Sequence, residues 1–304
     1  MSKKSHARLI LHGKAADRED VRQAVSRLRS RGHDVSVRVT WEANDARHFV
    51  TEALADAHSA SIDTLIAGGG DGTLNEVVAA AHEEAGKPED IPFAFGLLPL
   101  GTANDFARGV GLDPANIAEC LWIAATAQAR STDIGLANGR PFVNVATGGF
   151  GTRVTTETDP RLKKLLGGAA YLFTGLQRFS ELAASSGRLS SPELTWEGDF
   201  LAFAVGNGTQ AGGGVQLCPD ARLDDGLLDV TVLPSPKAED VPDILRVLAE
   251  EGMQGMKDHM VTARVSALTL ETAEDFQVNL DGEPVHARRL EFSMAPGAIR
   301  MRRP

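Results

Sequence analysis

Four glycines within five residues are the most distinctive chemical feature of this 304-residue sequence. The segment Gly68–Thr73 reads Gly-Gly-Gly-Asp-Gly-Thr; an apolar run precedes it, and a helical pattern starting at Leu74 follows it. Glycine allows positive φ angles and a close approach of the backbone to a ligand. The N–H groups of such a loop, at the start of a helix, favour an anion. A tight strand-to-helix turn would need fewer glycines, so the segment predicts a phosphate-binding loop.

A second loop, Leu98–Phe106, also follows an apolar run and opens toward a helical pattern. If both runs are strands of a parallel sheet, their carboxyl ends meet at one edge, where ligands bind. Thr102 and Asn104 then lie near the glycine loop, although both are also suited to capping a helix. Thr40, at the end of the alternating segment Val35–Trp41, should reach the same edge.

Several familiar motifs are missing. The sequence has no Gly-x-x-x-x-Gly-Lys-Ser/Thr, which excludes a P-loop NTPase, and it lacks the His-Arg-Asp and Asp-Phe-Gly motifs of protein kinases. Gly206–Ala211 matches Gly-x-Gly-x-x-Ala, but three more glycines follow it instead of a helix, so we reject a dinucleotide-binding loop there. The eight histidines show no metal-ligand spacing, and no Ser-His-Asp set suggests a hydrolase.

The N-terminal part, which must position both loops, alternates between apolar strand patterns and amphipathic helix patterns. Its strands are predicted at Leu9–Leu11, Val35–Trp41, Ile62–Ala67 and Phe93–Leu98. Asp17 and Asn44 are the candidate caps of the first two helices. Strands this apolar, separated by helices, indicate a parallel sheet covered on both faces. We therefore expect a three-layer α/β domain over residues 1–130.

After Thr132 the pattern changes to closely spaced strands separated by Gly, Pro, Asn and Asp. These strands are predicted at Asp133–Leu136, Phe142–Thr147, Leu194–Trp196, Phe200–Gly206, Leu227–Leu233, Ala263–Glu271, Phe276–Leu280 and Leu290–Met294. Only Leu162–Leu182 and Val241–Glu250 have helical patterns. This is typical of a mostly antiparallel β sandwich, which we expect over residues 131–304, with the final residues able to return to the first domain.

Composition limits the class of partner. With 42% hydrophobic and 24% charged residues the chain is globular, and its net charge of −10 weighs against nucleic acid and against strong, constitutive adhesion to anionic lipid. The apolar runs, such as Phe93–Leu100, are too short to cross a bilayer. Two distant cysteines and a short polar start without a signal peptide predict a cytoplasmic location.

The ordered set of loops resembles the diacylglycerol-kinase catalytic family, which includes bacterial lipid kinases, sphingosine kinases and, more distantly, NAD kinases. The resemblance begins with Gly68–Thr73 and Pro99–Ala107. It continues through Asn144–Gly151, Val205–Gly208, Leu217–Pro219, Asp224–Leu228 and Asn279–Glu283, and so covers nearly the whole chain. Arg38–Trp41 and Ala211–Gly214 are most similar to the bacterial YegS lipid kinases.

This resemblance implies an NAD kinase/diacylglycerol kinase-like protein: an α/β nucleotide-binding domain, then an antiparallel β-sandwich domain, with the active site in the interdomain cleft. It implies that ATP binds Thr40, Gly70, Asp71, Gly72, Thr73, Leu74, Asn75, Glu76 and Thr102. Many relatives have Asn-Pro after the first strand, whereas this chain has His12-Gly13. A nucleotide contact from that first loop is therefore left open.

The resemblance also implies a divalent metal, held by the Asp225 carboxylate and the backbone carbonyls of Arg222 and Leu227, and a general base at Glu283. Hard oxygen ligands of this kind suit Mg²⁺, with Mn²⁺ and Ca²⁺ as alternatives. The Asp-Asp-Gly sequence around Asp225 is also an ordinary hairpin turn. A carboxylate such as Glu283 or Asp71 can accept a hydroxyl proton, but Asp71 could instead order the glycine loop or hold a metal-bound water.

Together these features predict transfer of the ATP γ-phosphoryl group to a hydroxyl of a membrane-derived lipid: phosphatidylglycerol, diacylglycerol or a sphingoid base. The protein would meet its lipid substrate peripherally and transiently at the membrane surface. Leu162–Leu182 is the candidate lipid contact, with packing in the sandwich as the alternative. An NAD kinase and a non-catalytic nucleotide-binding regulator are the rival functions. The lipid, the metal and the oligomeric state stay open.

Overall fold

The computed structural model of the protein describes residues 4–57, 59, 61–149 and 184–304. The chain divides into two compact units. Unit 1 comprises Met1–Ile134, Leu223–Gly226 and Ala295–Pro304, and unit 2 comprises Gly135–Arg222 and Leu227–Met294. The helical pattern predicted at Leu162–Leu182 lies outside the described residues.

Unit 1 is built on a parallel sheet. Its strands are β1 (His6–His12), β2 (Asp34–Thr40), β3 (Thr64–Gly69) and β4 (Ala94–Pro99), in the order β2-β1-β3-β4. Its helices are α1 (Glu19–Ser30), α2 (Asp45–Asp56), α3 (Asp71–Ala85), α4 (Asp105–Gly109) and α5 (Ile117–Thr126), with short 3₁₀ helices at Gly13–Ala15 and Pro88–Asp90. This is the doubly wound order in which the chain changes direction across the sheet between β1 and β3.

Both faces of this sheet are covered. Leu9 and Ile10, neighbours in β1, point to opposite faces and are both fully buried, and every residue of β3 and β4 is buried. Helix α1 packs against α5, and α2 packs against α3, which supplies the two outer layers. The three-layer α/β prediction is therefore confirmed for this part of the chain.

Unit 2 is almost entirely antiparallel. Its strands are β6 (Arg140–Phe142), β7 (Val145–Gly149), β8 (Ser185–Ser190), β9 (Thr195–Gly206), β10 (Gln210–Ala211), β11 (Val215–Gln216), β12 (Leu228–Pro234), β13 (Val261–Val265) and β14 (Ala267–Leu280). Two further strands, β5 (Ala129–Ala137) and β15 (Glu283–Arg302), run through both units. Helix α6 (Val241–Glu251) leads into a 3₁₀ helix at Gly252–His259.

The long strands β9 and β14 organise the core of unit 2. Each pairs with β7 at one end and with β8 at the other. Aromatic side chains of these and neighbouring strands pack together in the core, with ring centroids 5.6–6.4 Å apart; they are Phe142, Phe200, Phe203, Phe276 and Phe292. Such edge-on packing stabilises a core beyond simple burial.

Two local predictions are wrong. The segments Ala263–Glu271 and Phe276–Leu280 belong to β13 and to one bulged strand, β14, whose pairing register shifts between Glu271 and Phe276. The mostly polar residues 272–275 looked like a strand boundary. They have no register partner in β15, but the strand continues through them and its pairing with β15 resumes at Phe276. Neither predicted helix cap is formed: the N-cap residue of α1 is Arg18 rather than Asp17, and the Asn44 side chain makes no capping hydrogen bond to α2.

Candidate active site

The glycine segment forms the junction of β3 and α3. Strand β3 ends at Gly69, Gly70 is the N-terminal cap position, and α3 begins at Asp71 rather than at Leu74. Gly72 to Glu76 therefore lie in the first turns of the helix, with Gly72 and Glu76 exposed and Thr73 to Asn75 buried. The first N–H groups of a helix lack partners within it and carry partial positive charge, so this end suits an anion.

The glycines of this junction are needed for close packing, not for positive φ. None of Gly68, Gly69, Gly70 and Gly72 adopts a positive φ, so the expectation of left-handed backbone here is wrong. A Cβ on Gly69 would lie 2.3 Å from the Thr73 hydroxyl oxygen. A Cβ on Gly101, in the second loop, would lie 2.5 Å from the Cα of Gly70. The two loops therefore touch backbone to backbone, which only glycine permits.

The second loop is held by Asn104. Its amide oxygen accepts the N–H of Gly101 at 2.8 Å, and its amide nitrogen donates to the Gly101 carbonyl at 2.8 Å. Asn104 itself has a left-handed backbone with φ 51°. Its side chain therefore does not cap α4, contrary to one of the two predicted roles. Thr102 is exposed.

The side chain that caps α4 is that of Asp71. Its two carboxylate oxygens accept the N–H groups of Asp105 and Phe106, at 3.0 and 2.9 Å, in the first turn of α4. Burial raises the pKa of the Asp71 carboxyl, and these two N–H donors lower it by less. Asp71 thus links the start of α3 to the start of α4, and this link holds the two loops in a fixed position relative to each other.

Thr40 ends β2 at the same edge of the sheet. The register pairs Thr40 with His12 of β1, and the Thr40 hydroxyl accepts the N–H of Gly13 at 3.3 Å. A Cβ on Gly13 would lie 2.3 Å from the Thr40 carbonyl oxygen. Because all four strands are parallel, their carboxyl ends bring Thr40, the glycine junction and Thr102 to one edge.

Asn75 has a buried polar atom that needs a partner. The residue is 6% exposed, and its amide oxygen has no hydrogen-bond partner within the described part of the chain. Buried polar atoms are nearly always paired, because leaving one unpaired costs about 1–3 kcal/mol. A ligand hydroxyl or amine at the start of α3 would satisfy it. Glycine packing and this orphaned oxygen both fit a bound nucleotide.

In unit 2, Asp281 and Glu283 differ sharply. The Asp281 carboxylate is buried and accepts the backbone N–H groups of Val143, Asn144 and Val145 at 2.6–3.2 Å. Asp281 has a φ of 50°, which turns the chain tightly before Gly282. Glu283, two residues later, is exposed. Apart from the family resemblance, which implies Glu283 as the base, the sequence does not distinguish these two carboxylates; the structure gives Asp281 a backbone-anchoring role.

The asparagine motifs of unit 2 are structural as well. Asn144 donates its amide to the Gln210 carbonyl at 2.9 Å, and Asn207 donates to the Val143 carbonyl at 2.7 Å. A Cβ on Gly208 would lie 2.1 Å from the Asn144 amide oxygen. These contacts fix the segment that receives the Asp281 carboxylate.

The predicted metal residues lie on one exposed turn. Arg222 and Asp225 are exposed and Leu227 is partly buried. Asp133, in β5, holds this turn: its carboxylate accepts the N–H of Gly226 and the N–H of Gly297, both at 2.7 Å. No group of three or more His, Cys, Asp and Glu side chains is arranged to hold a metal within the described ranges. One carboxylate with backbone carbonyls is still a hard-oxygen set that fits a cation retaining several waters.

Comparison with known proteins identifies the family. The diacylglycerol kinase catalytic domain matches residues 6–137, and the YegS C-terminal NAD kinase beta sandwich-like domain matches residues 144–303. A "Probable lipid kinase YegS-like" protein of Pseudomonas aeruginosa (strain UCBPP-PA14) is 52% identical over 97% of this chain and 93% of its own length. The chain belongs to the YegS-like lipid kinase family.

One further relative and one solved structure are also similar to this chain. The "Probable lipid kinase YegS-like" protein of Pseudomonas syringae pv. tomato is 48% identical over 98% of this chain and 93% of its own. A crystal structure of a diacylglycerol kinase from Bacillus anthracis str. Sterne has a TM-score of 0.71 and 21% identity, and covers 100% of this chain and 98% of that one. That likeness concerns the fold alone, and it confirms the predicted α/β and β-sandwich classes for this YegS-like chain.

Sequence reasoning missed the anchoring carboxylates of this YegS-like protein. Asp133 and Asp281 are buried and bind backbone N–H groups from distant segments. Asp281 lies next to Gly282 just after the end of β14, which is the one signal the sequence offered, whereas Asp133 lies inside β5. Among the described helices, none combines the length and apolar character needed to cross a membrane.

Proposed function

We propose that this YegS-like protein transfers the γ-phosphoryl group of ATP to a hydroxyl of a membrane lipid. The observation that carries the proposal is the backbone contact of Gly70 with Gly101 at the carboxyl edge of β3 and β4. It sets two loops beside the exposed Gly72 at the start of α3, where phosphate is favoured. Membership of a lipid kinase family supports the choice of reaction.

The nucleotide would occupy the carboxyl edge of the unit 1 sheet. The candidate contacts are Thr40, Gly70 to Glu76 and Thr102. The buried oxygen of Asn75 needs a donor, and ATP offers both ribose hydroxyls and a base amine. The first N–H groups of α3 would meet the phosphate charge.

Glu283 is the better candidate for the general base. Both oxygens of Asp71 already accept backbone N–H groups, which supports a positioning role for Asp71. Glu283 is exposed, and Asp281 anchors its turn by three N–H groups. In the reaction the lipid hydroxyl gives its proton to Glu283 while its oxygen bonds to the γ-phosphorus. The bond from that phosphorus to the bridging oxygen breaks, and ADP leaves.

A divalent cation would bind Asp225 and the carbonyls of Arg222 and Leu227. Such a cation supplies charge neutralisation for phosphoryl transfer. Mg²⁺ suits the oxygen set, with Mn²⁺ and Ca²⁺ as alternatives. The hydrogen bond from Gly226 to Asp133 supports this assignment, since it restrains the turn.

The substrate is a lipid, phosphatidylglycerol, diacylglycerol or a sphingoid base, met transiently at the membrane surface.

We place the reaction in the cytoplasm. Cys120 and Cys218 are both free and buried, and burial raises their thiol pKa values to about 11 and about 12. Unpaired, unreactive thiols suit a reducing compartment.

The test is transfer of labelled γ-phosphate from ATP, with Mg²⁺, into micelles of phosphatidylglycerol, diacylglycerol or sphingosine, with NAD in a parallel assay. We expect label in one lipid class. Replacing Glu283→Gln should lower turnover by about 100-fold or more, because general base catalysis contributes about that much. Glu274→Gln, which changes an exposed carboxylate on β14, is the matched control and should leave turnover unchanged.

Two results would overturn the proposal. Label in NAD alone would make the protein an NAD kinase. ATP binding without label in any acceptor would favour a nucleotide-binding regulator. Far-UV circular dichroism of each variant verifies that it is folded.

A further inference from the structure

Trp41 is unusual among the large hydrophobic side chains. Within the described residues it is the only one classed as exposed, with 83% of its surface accessible. The other tryptophans are packed: Trp122 lies edge-on to His33 at 5.3 Å, and Trp196 lies against Phe200 at 6.1 Å. The indole of Trp41 is therefore available to a ligand.

The backbone that carries Trp41 is held in place. The carboxylate of Asp45 accepts the N–H of Trp41 at 2.6 Å and the N–H of Glu42 at 2.9 Å. Asn44 has a left-handed backbone with φ 71°, which bends the chain back so that Asp45 can reach them. The exposed ring thus projects from a restrained turn, which lowers the entropy lost on binding.

Its position fits the base end of a nucleotide. Trp41 follows Thr40, the last residue of β2, and β1 alone separates β2 from β3. Neighbouring strands lie about 4.8 Å apart, so Trp41 is about 10 Å along the sheet edge from the phosphate junction at Gly70. A nucleotide with its phosphates at α3 and its ribose across the β1–β3 switch point would bring its base toward the end of β2.

We propose that Trp41 stacks on the adenine base of ATP. The inference rests on the proposed function, because it assumes that ATP phosphates bind at the start of α3. Aromatic rings stack on nucleobases with a favourable free energy of about 1–3 kcal/mol per base. The base contact would add to the affinity that the glycine junction supplies for the phosphates.

A membrane-interface role is the other common use of an exposed tryptophan. The charges beside Trp41 disfavour it, since Glu42 and Asp45 are acidic and an anionic lipid surface attracts Lys and Arg. An adenine base is uncharged, and its exocyclic amine can donate a hydrogen bond to a carboxylate. The surroundings of Trp41 therefore favour the nucleotide.

The test compares Trp41→Ala and Trp41→Phe with the wild-type protein by calorimetric titration with ATP and with inorganic tripolyphosphate. Loss of stacking in Trp41→Ala should weaken ATP binding about 10-fold, and Trp41→Phe, which keeps a stacking ring, should change it by less than about threefold. Tripolyphosphate has no base, so its affinity should be equal in all three proteins. ATP, but not tripolyphosphate, should quench the fluorescence that Trp41→Phe removes.

Unchanged ATP affinity in Trp41→Ala would overturn the inference and leave the kinase proposal standing. Equal losses for ATP and tripolyphosphate would overturn it too, because Trp41 would then act on the phosphate junction. Loss of pelleting with phosphatidylglycerol vesicles at unchanged ATP affinity would replace it with a membrane role. If the wild-type protein bound neither ligand, the proposed function would fail and this inference with it.

Discussion

At the scale of single residues, the carboxylates divide by what their oxygens already bind. Asp71 caps α4 and Asp281 anchors the Val143–Val145 segment, each through backbone N–H groups. A carboxylate occupied in this way is poorly placed to take a proton from a substrate. Glu283 is exposed, and this contrast supports its assignment as the base.

Asp71 should make stability depend on pH in an uncommon direction. Because burial raises its pKa above the ordinary value of 3.8, the folded protein holds this proton more tightly than the unfolded chain does. The contribution of Asp71 to the free energy of unfolding is complete below the ordinary pKa and is lost as the pH rises through the raised pKa. Relative to Asp71→Asn, the wild-type free energy of unfolding should therefore fall as the pH rises above about 4, and level off once the pH has passed the raised pKa. Urea denaturation of both proteins at a series of pH values measures the difference in their free energies of unfolding. A difference that does not change with pH would contradict the raised pKa.

Asp281 and Glu283 form a matched pair of tests. Asp281→Asn replaces one acceptor oxygen by a donor facing backbone N–H groups, so we expect it to lower the free energy of unfolding by about 3 kcal/mol. Glu283→Gln changes an exposed group and should alter that quantity by less than about 0.5 kcal/mol while lowering phosphoryl transfer by about 100-fold or more. Urea denaturation and the labelled-phosphate assay check the two halves. Equal stability losses would show that both residues are structural.

At the scale of elements, the carboxyl ends of β3 and β4 are joined into one loop system. Gly70 and Gly101 touch, Asn104 closes the second loop on Gly101, and Asp71 links α3 to α4. Three kinds of contact therefore fix the same junction. A substitution that disrupts any one of these contacts should alter the backbone geometry at the proposed phosphate position.

Gly101→Ala tests this junction directly. The new Cβ would lie 2.5 Å from the Gly70 Cα, and backbone on both sides must shift to accept it. We expect a cost of about 1–3 kcal/mol in stability and a clear loss of ATP affinity. The control is Gly198→Ala in β9, whose Cβ meets only the Trp196 ring at 3.3 Å. Calorimetric titration measures the ATP affinity of each variant. Wild-type affinity in both variants would refute the proposed role of the Gly70–Gly101 contact in ATP binding.

At the scale of the whole molecule, charge limits how the protein meets its substrate. A net charge of −10 opposes lasting attachment to an anionic membrane, because surface potential attracts basic and repels acidic proteins. We therefore propose that the protein reaches its lipid in brief encounters.

Vesicle sedimentation tests the charge argument. Increasing the phosphatidylglycerol content of phosphatidylcholine vesicles should not increase the bound fraction of protein. Raising the salt concentration should not release protein either, since no net attraction is being screened. Binding that grows with phosphatidylglycerol and falls with salt would reveal a basic docking surface that outweighs the net charge.

Local sequence patterns predicted the structure correctly where a single segment is enough to determine it. Apolar runs followed by glycines marked β3 and β4 with their loops, and the ordered motifs identified a lipid kinase family that the comparisons confirm. Prediction failed where a distant segment takes part. Asn104 appeared to be a helix cap, but Asp71, far away in sequence, takes that place. The β14 bulge looked like a gap because its partner strand lies later in the chain.

The sequence by itself determined the fold class, the family and the segments that carry chemistry, because glycine content, hydrophobic periodicity and motif order are properties of the chain. Only the tertiary structure decided why those glycines are needed and which carboxylates are anchors. Gly101 must be glycine because Gly70 lies against it, and Asp281 is an anchor because Val143 to Val145 turn their N–H groups toward it. Both reasons are contacts between residues far apart in sequence, which arise only when the chain has folded.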